Sequence, residues 1–332
     1  MQQHNKFDSE HISSMKTAIV IGISGQDGLY ALELLSEKGY RVVGTSRDSI
    51  KAINQLSLKH PNLEILEWDL RNEVQIREII QSVRPSEVYN FAAYSSGEKM
   101  YENPVDLTVI NGLGVTKILD AIKEIDPKIR FVQASSSEMF GLVASKPQNE
   151  LTPFNPRSPY GAAKLYGHNM VNIYRERHHL FACSAILFNH ESPHRGINFV
   201  TRKITHTAAK IKLGLADKLV LGNLEIQRDW IFAGDAVRAM WMMLQAPHAT
   251  DYIVSGGVSH SVREFCALAF GRLGMNYEDY VVSSPEFFRP TESINLEGDP
   301  SKLHAIGWSQ SKSFNELVFN MVDNDYILLN NN

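Results

Sequence analysis

Tyr160 and Lys164 are the two residues of this chain whose types and spacing point most directly to chemistry. They are four positions apart in a stretch with helical periodicity, so both side chains lie on one face of a helix. An ammonium group beside a phenol stabilises the phenolate, and we therefore expect Lys164 to lower the pKa of Tyr160. Such a phenol can donate or accept a proton near neutral pH. Taken alone, the same spacing is as often structural.

Ser136 and Glu138 follow a predicted strand in the segment ASSSE. Ser136 supplies the hydroxyl that tyrosine-based proton transfer needs beside it, and both groups would lie at the carboxyl edge of a parallel sheet. A simple reductase needs no second base, so the carboxylate of Glu138 indicates a further proton transfer in the same pocket. The alternative for Glu138 is a solvated acid in a loop.

Three glycines, Gly22, Gly25 and Gly28, form a GxxGxxG turn between a predicted strand and a predicted helix. In this context glycines allow a tight turn and let a pyrophosphate rest on the N-terminus of the helix. The turn therefore predicts a dinucleotide cofactor, although a plain strand–turn–helix connection remains the alternative.

Arg47 follows the second predicted strand, ~20 residues after the glycines, where NAD enzymes usually carry an acid. Its guanidinium suits the 2′-phosphate of NADP, so the sequence favours NADP over NAD, although Asp48 beside it weakens that choice. Further candidates flank the cofactor at the ends of the third and fourth predicted strands: Asp69, Leu70, Ala92 and Ala93.

Strands and helices alternate through the first 190 residues, which predicts an α/β fold with a doubly wound parallel sheet of the Rossmann type. The predicted strands span 16–23, 41–45, 63–68, 87–92, 130–134 and 182–188, and the predicted helices span 28–38, 74–81, 105–125, 159–179, 201–213 and 235–244. We expect residues 1–15 to be a polar, disordered arm. Residues 16–190 then form a cofactor-binding domain whose sheet later segments complete, and 191–330 form mainly a smaller, mixed substrate-binding lobe.

The composition excludes several classes of protein. The 332 residues include 33 Lys and Arg against 37 Asp and Glu, and this net charge of −4 disfavours a nucleic-acid-binding surface. No apolar run approaches the ~20 residues of a membrane span, and residues 1–15 lack the apolar core of a signal peptide. Two cysteines without metal-ligand spacing predict no disulfide framework and no metal site, so we expect a cytoplasmic protein.

Seven segments in order resemble the extended short-chain dehydrogenase/reductases, and within them the family of GDP-mannose 4,6-dehydratases. The resemblance covers about residues 16–326. The segments are GISGQDG at 22–28, ASSSEMFG at 134–141, TPFNPRSPYGAAKLY at 152–166, LFNHESPHRG at 187–196, FVTRKI at 199–204, RDW at 228–230 and FRPTESINLEGD at 288–299.

The resemblance implies roles for named residues. Ser136, Glu138, Tyr160 and Lys164 would be catalytic. NADP would contact the glycine turn, including Gln26 and Asp27, and the catalytic pair Tyr160 and Lys164. It would also contact Arg47, Asp69, Leu70, Ala92 and Ala93 at the strand ends, and His190 and Arg195. A GDP-sugar would be held by Ser95, Asn189, Lys203, Arg228, Arg289 and Glu292. The family also implies a homodimer or homotetramer, with dimers packed through helices 105–125 and 159–179.

The reaction implied by the resemblance is an internal redox cycle on GDP-mannose. Tyr160, assisted by Ser136, would take the proton of the sugar 4-hydroxyl while hydride leaves C4. Glu138 would then take the C5 proton and help expel the C6 hydroxyl as water, before hydride returns to C6. The product would be GDP-4-keto-6-deoxymannose, with no net consumption of NADP.

Three departures from the family keep alternatives open. Ser136 stands where the family usually has threonine, segment 94–98 differs from the family's AAQS-type loop, and segment 47–55 is shorter and less basic. One alternative is the same reaction on another nucleotide sugar, such as a GDP-manno-heptose. A second is a GDP-sugar 4-reductase or epimerase, which would not need Glu138. A third is a non-catalytic NADP-binding protein, which would be expected to lose part of the catalytic set.

Overall fold

Parallel strands form the centre of the molecule. The computed structural model describes residues 15–94, 100–143, 145–287 and 295–331. The strands are β1 (Thr17–Ile21), β2 (Arg41–Ser46), β3 (Glu64–Glu67), β4 (Glu87–Asn90), β5 (Arg130–Ser136), β6 (Ala182–Leu187), β7 (Asn189–Glu191), β8 (Leu219–Leu221), β9 (Gln227–Phe232), β10 (Tyr252–Val254), β11 (Ser259–Ser261) and β12 (Val281–Ser283).

Helices connect these strands. They are α1 (Gln26–Glu37), α2 (Ser49–Leu56), α3 (Glu73–Val83), α4 (Pro104–Thr108), α5 (Gly114–Ile125), α6 (Pro159–His178), α7 (Val200–Lys212), α8 (Ala233–Gln245), α9 (Val262–Arg272), α10 (Ser301–His304) and α11 (Phe314–Asn330). A π-helical segment, Val109–Leu113, joins α4 to α5. None of the helices in the described ranges is long and apolar enough to cross a bilayer.

The main sheet has seven parallel strands in the order β10-β6-β5-β4-β1-β2-β3, so the predicted doubly wound Rossmann-type fold is confirmed. The order reverses beside β1, which pairs with β2 on one side and β4 on the other. At such a reversal the connections leave in opposite directions and open a crevice at the carboxyl ends of the strands. The candidate site lies at this crevice.

Two apolar cores pack against the two faces of the sheet. One joins α1 and α8 to the strands through residues such as Leu32, Leu35 and Met240. The other joins α3, α5 and α6 through residues such as Ile76 and Ile118. Because helices cover both faces of the sheet, the sequences of its strands are mostly continuous apolar runs, as is typical of buried parallel sheets.

The later part of the chain forms smaller sheets and also completes the main one. Strand β10 pairs with β6 at one end of the main sheet. Strands β11, β9 and β7 form a three-stranded sheet, and β12 pairs with β8. A separate core that includes Ile204, Phe265 and Met321 joins α7, α9 and α11 beside these sheets.

The predicted elements match the observed ones to within two residues at either end. The helix predicted at 105–125 is interrupted by the π-helical segment. Segments 189–199 and 223–230, in which the sequence shows no regular apolar pattern, carry β7 and the first four residues of β9. Strand β7 has only three residues, too few to show alternation. The arm expected at residues 1–15 lies, apart from Met15, outside the described residues.

Candidate active site

A cavity of about 1210 Å³ opens at the carboxyl ends of β1, β2, β4, β5 and β6. It exceeds the roughly 300–1,000 Å³ of ordinary ligand pockets. Its wall includes most of the candidates from the sequence: Gly22, Gly25, Gln26, Asp27, Gly28, Arg47, Asp69, Leu70, Ala92, Ala93, Ser136, Glu138, Tyr160, Lys164, Asn189, His190, Arg195 and Arg228. The fold therefore brings one set of cofactor and catalytic candidates into a single space.

The glycine turn is shaped by close backbone approach. Gly22 has φ of +90°, and a Cβ atom there would lie 3.1 Å from the Ala92 nitrogen. A Cβ on Gly28 would lie 2.3 Å from the Gly22 carbonyl oxygen, so any side chain would separate α1 from β1. Helix α1 begins after Gly25 without a side-chain cap, which exposes its first N–H groups toward the cavity. Such a cradle fits the pyrophosphate of a dinucleotide.

The end of β2 separates the two charges that the sequence left ambiguous. Asp48 caps α2, and its carboxylate accepts from the Lys51 nitrogen at 2.9 Å. Arg47 is exposed and lines the cavity. Across from it, hydrogen bonds from Arg71 hold the pKa of Asp69 below its usual range, with a further contribution from the charge of Arg47. This end of the cavity therefore presents a guanidinium, while the neighbouring acid is engaged by a helix.

Two turns position Ser136, Glu138 and Tyr160. Strand β5 ends at Ser136, whose hydroxyl accepts from the Glu138 nitrogen at 3.2 Å and starts a 3₁₀ turn. Helix α6 begins after Ser158, whose hydroxyl accepts from the Gly161 nitrogen at 3.0 Å. A Cβ on Gly161 would lie only 2.5 Å from the Glu138 carbonyl oxygen, so the glycine lets the first turn of α6 pack on this turn.

Lys164 is buried, with 4% of its surface exposed, and its ammonium donates to the Ala134 carbonyl oxygen at 2.8 Å. The same nitrogen lies 5.7 Å from the centre of the Tyr160 ring. Burial lowers the pKa of Lys164 to about 8, against an opposing contribution from the carboxylate of Asp27. Lys164 is therefore close to Tyr160, but its side chain loses its proton at a lower pH than an exposed lysine does.

The expectation of a lowered pKa for Tyr160 is wrong for the chain by itself. Burial raises the pKa of Tyr160 to about 12, because removing water disfavours the phenolate. The hydrogen bond with Ser136 acts in the lowering direction, and the charge of Glu138 acts in the raising direction. Tyr160 in the bare chain is thus a neutral phenol that contacts the serine hydroxyl.

His190 and Arg195 lie at the junction of the glycine turn with β7. His190 Nε2 is 3.0 Å from Asp27 Oδ2. Arg195 Nε is 3.2 Å from Glu191 Oε2, and its guanidinium stacks 3.6 Å from the centre of the Phe199 ring. Both candidates therefore line the cavity, and each is paired with a carboxylate.

The sugar-nucleotide candidates divide into three groups. Asn189 and Arg228 line the cavity. Lys203 lies outside the lining, because its position one turn into α7 directs its ammonium to the Val220 carbonyl oxygen at 2.8 Å. The others, Ser95, Arg289 and Glu292, lie outside the described residues.

Asn111 is a site residue that sequence reasoning missed. It is 2% exposed in the π-helical segment, where its Oδ1 accepts from the Tyr94 nitrogen at 2.7 Å and its Nδ2 donates to the Tyr94 oxygen at 3.2 Å. These two bonds hold Tyr94 in the cavity wall. The available signal was a polar residue on the apolar face of a predicted helix, and π-segments are frequent at functional sites.

Asp229 was also missed; its chain neighbours Arg228 and Trp230 line the cavity, whereas Asp229 itself does not. It is 1% exposed, and its carboxylate accepts from the nitrogens of Gly256, Gly257 and Gly298 at 2.6, 3.0 and 3.2 Å. Burial raises its pKa to about 6 against the lowering effect of these bonds. Asp229 therefore fastens two loops behind Arg228.

Comparisons with known proteins identify similar chains. A family model described as GDP-mannose 4,6 dehydratase matches residues 19–321. The chain is 44% identical to GDP-mannose 4,6 dehydratase 1 of Arabidopsis thaliana, over 96% of this chain and 92% of that protein. It is 39% identical to the GDP-mannose 4,6 dehydratase of Homo sapiens, over 98% and 95%. The structure of a dTDP-glucose 4,6-dehydratase from Streptomyces venezuelae with NAD bound superposes with a TM-score of 0.80 at 20% identity, over 93% and 96%.

Proposed function

This chain belongs to the GDP-mannose 4,6-dehydratase family, and we propose that it converts GDP-mannose to GDP-4-keto-6-deoxymannose with loss of water. The observation that carries the proposal is the presence of Glu138 beside Ser136, Tyr160 and Lys164 in one cavity. The last three suffice for oxidation and reduction at a carbinol carbon, whereas elimination of water needs a further base. The relatives named as dehydratases support the same reaction.

A nicotinamide cofactor is part of the proposal, and the glycine cradle at the start of α1 supports it. When bound, the nicotinamide supplies the hydride acceptor for C4 and the hydride donor for C6. We propose NADP rather than NAD, because Arg47 offers a guanidinium at the end of β2 while Asp48 is engaged as the cap of α2. His190 and Arg195 would contact the same cofactor.

Proton transfers are assigned to the residues of the chain. Tyr160 would accept the proton of the 4-hydroxyl as a phenolate, a form that the Lys164 ammonium and the positive charge of an oxidised nicotinamide would favour over the neutral phenol of the bare chain. The Ser136 hydroxyl would orient the two oxygens. Glu138 removes the C5 proton, which the adjacent ketone acidifies, and delivers it to the departing C6 hydroxyl. The proton that Tyr160 accepted balances the protonation of C5 at the end, so the net change is the loss of one water.

The substrate is proposed to lie between the main sheet and the later part of the chain. Arg228 can neutralise a diphosphate through paired hydrogen bonds, and Asn189 can bond to the sugar or phosphate. In this proposal residues 16–190 bind mainly the cofactor and residues 191–330 mainly the substrate. Lys203, Ser95, Arg289 and Glu292 keep their predicted substrate roles as hypotheses. The buried, free thiols of Cys183 and Cys266 are compatible with the proposed cytoplasmic location.

A GDP-manno-heptose is the second candidate substrate. The observation that favours it is Tyr94, which Asn111 holds in the cavity wall at the start of the loop that departs from the family. A changed wall beside the sugar can alter the space at C6 without changing the chemistry. The reductase, epimerase and non-catalytic alternatives have weaker support, because they leave Glu138 or the intact catalytic set without a role.

The experiment that tests the proposal incubates the purified protein and NADP with GDP-mannose or GDP-manno-heptose and follows each by mass spectrometry. We expect one substrate to lose a single water while the absorbance of reduced cofactor stays flat. Reduced cofactor that grows in step with substrate consumption would show an ordinary dehydrogenase instead. Recovery of both substrates unchanged would contradict the proposed dehydration.

We also propose that two copies of the chain associate through α6 and the helices around the π-helical segment. Val105, Leu113, Tyr166 and Ile173 are apolar and 74%, 41%, 39% and 49% exposed. Tyr166 and Ile173 are seven positions apart on α6, which places them on one face. Association of such faces would remove apolar surface from water.

A further inference from the structure

Asp27 and His190 join the cofactor turn to β7. The carboxylate belongs to the first turn of α1, and the imidazole belongs to the strand that carries Asn189. Their side chains are 18% and 14% exposed, and the Nε2–Oδ2 distance is 3.0 Å. The contact therefore crosses from the cofactor side of the cavity to its substrate side.

The hydrogen-bond partners of His190 identify its protonation state. Nδ1 is 2.9 Å from the Phe188 carbonyl oxygen, which can only accept, so Nδ1 carries a proton. Nε2 faces the Asp27 carboxylate, which accepts as well. Both contacts are satisfied when both ring nitrogens donate, so this geometry favours an imidazolium paired with a carboxylate. The pKa of His190 is raised and that of Asp27 lowered, in each case against burial, which acts in the opposite direction.

Gln26 adds a second link between the same two elements. Its Nε2 donates to the His190 carbonyl oxygen at 3.1 Å and to Asp27 Oδ1 at 3.2 Å. Its Oε1 accepts from the Ser192 hydroxyl at 2.9 Å. The polar side chains of the GQDG turn thus bond to β7 and its continuation.

Strand β7 links the Asp27–His190 contact to β9, which carries Arg228 on the proposed substrate side. It pairs in parallel with β9, with His190 opposite Ile231 and Asn189 opposite Trp230. Arg228 lies two residues before Trp230 on the same strand. A shift of the first turn of α1 would therefore be transmitted to the residues proposed to hold the sugar nucleotide.

We propose that Asp27 and His190 are a positioning pair that couples cofactor binding to substrate binding. Binding of a dinucleotide pyrophosphate at the start of α1 orders this turn, and the ion pair carries that order to β7 and β9. Neither residue transfers a proton in the reaction. The inference rests on the proposed function, because it assumes that NADP and a GDP-sugar share the cavity.

The other charged and titratable groups around the pair belong to two further elements. Arg195, in the loop after β7, opposes the protonation of His190 and supports the ionised form of Asp27. Lys164 and Tyr160, on α6, both feel the charge of Asp27. As the pH rises through the elevated pKa of His190, the imidazolium is lost and the coupling should weaken.

The test measures the affinity of the full-length protein for GDP by calorimetry, with and without saturating NADP. We expect NADP to tighten GDP binding at least about fivefold, the lower end of common coupling energies. Asp27→Ala should bring this ratio to within about twofold of one, and Asp27→Asn, which keeps the shape but not the charge, should give an intermediate ratio that no longer depends on pH. His206→Gln is the matched control, because His206 also faces a carboxylate, that of Asp325, outside the cavity wall.

Each outcome decides the proposal. An unchanged ratio in both Asp27 variants, with folded protein by circular dichroism, would overturn the coupling role while leaving the proposed dehydration intact. A wild-type protein that binds NADP and GDP independently would do the same. A wild-type protein that binds neither ligand would overturn the proposed function together with this inference.

Discussion

Glu138 is the single residue on which the distinction between a dehydratase and a reductase depends. We expect Glu138→Gln to slow water loss by roughly 10²–10⁴-fold, the usual contribution of a positioned acid or base. The amide keeps the size of the side chain, so GDP-mannose affinity should change little and oxidation at C4 should still occur. Quenched-flow mass spectrometry, with reduced-cofactor absorbance read in parallel, measures the two steps separately.

Glu37→Gln is the control for that experiment, because Glu37 is an exposed acid at the end of α1, far along the helix from the cavity. It should leave both steps unchanged. Full turnover by the Glu138→Gln variant would remove this carboxylate from the mechanism and assign the removal of the C5 proton to another group.

Lys164 gives a prediction for the pH dependence of activity. Burial lowers its pKa to about 8, so the ammonium is present below that pH and lost above it. Because the ammonium is proposed to stabilise the phenolate of Tyr160, kcat/KM, which reports ionisations of the free enzyme, should fall above about pH 8. Steady-state measurement of kcat/KM from pH 6 to about 10 tests for this decrease. If this decrease persists in His190→Gln, the His190 imidazole is not its source, whereas a flat wild-type profile would contradict the assignment to Lys164.

Candidate site residues could be predicted from the sequence where the residue type and its spacing already indicate a specific chemical role. Ser136, Glu138 and Tyr160 were found by type and spacing, and the structure gathers them in one cavity. The pKa of Tyr160 could not be predicted, because it depends on how completely the fold removes water from the phenol. Asn111 and Asp229 were missed for a similar reason: their partners are backbone groups distant in sequence.

The strand–turn–helix element around α1 depends on close packing at Gly28. A Cβ there would lie 2.3 Å from the Gly22 oxygen and 2.6 Å from the Ile23 Cα, both of them backbone atoms that cannot turn aside. We expect Gly28→Ala to lower the free energy of unfolding by ~3 kcal/mol, at the upper end of ordinary overpacking, and to weaken NADP binding. Thermal unfolding and calorimetric titration with NADP provide the two measurements.

Gly271→Ala is the matched control, because a Cβ at this position in α9 meets nothing within 4 Å. Replacing a helical glycine by alanine usually stabilises a helix, here by about 0.5–1 kcal/mol. If the two variants unfolded alike, close packing at the glycine turn would not be the cause of the effect.

Periodicity located the long elements well and the short ones poorly. Helix α6 and strand β6 have enough residues for their apolar patterns to be distinct, and their predicted limits are nearly those observed. Strand β7 has three residues, and its pairing with β9 arises from contacts between segments about 40 positions apart, with Asn189 opposite Trp230. The proposed substrate side of the cavity is formed by β7 and β9, whose pairing depends on these distant contacts, so resemblance could suggest its residues but the sequence could not predict its geometry.

At the scale of the whole molecule, the helices that position the candidate catalytic residues also present an apolar surface. On α6, Tyr160 and Lys164 line the cavity, while Tyr166 and Ile173 are exposed. The Tyr166 hydroxyl lies 3.4 Å from that of Thr116 on α5, so both helices contribute to one surface. A dimer formed there would stabilise α6 in the position that the site requires.

The proposed dimer leads to a prediction: a charged side chain placed on this apolar surface should separate the two copies. We expect the wild-type protein to be a dimer by light scattering at micromolar concentration, and Ile173→Asp to be a monomer, because a carboxylate in an apolar interface loses its hydration without a partner. Leu113→Asp tests the π-helical segment before α5. Leu151→Asp is the control, since Leu151 is 91% exposed but lies outside these helices.

A wild-type monomer, or Asp variants at 173 and 113 that remain dimeric while folded, would contradict this interface. Reduced turnover in a folded monomer would extend the argument, because it would show that α6 depends on the second copy to hold Tyr160.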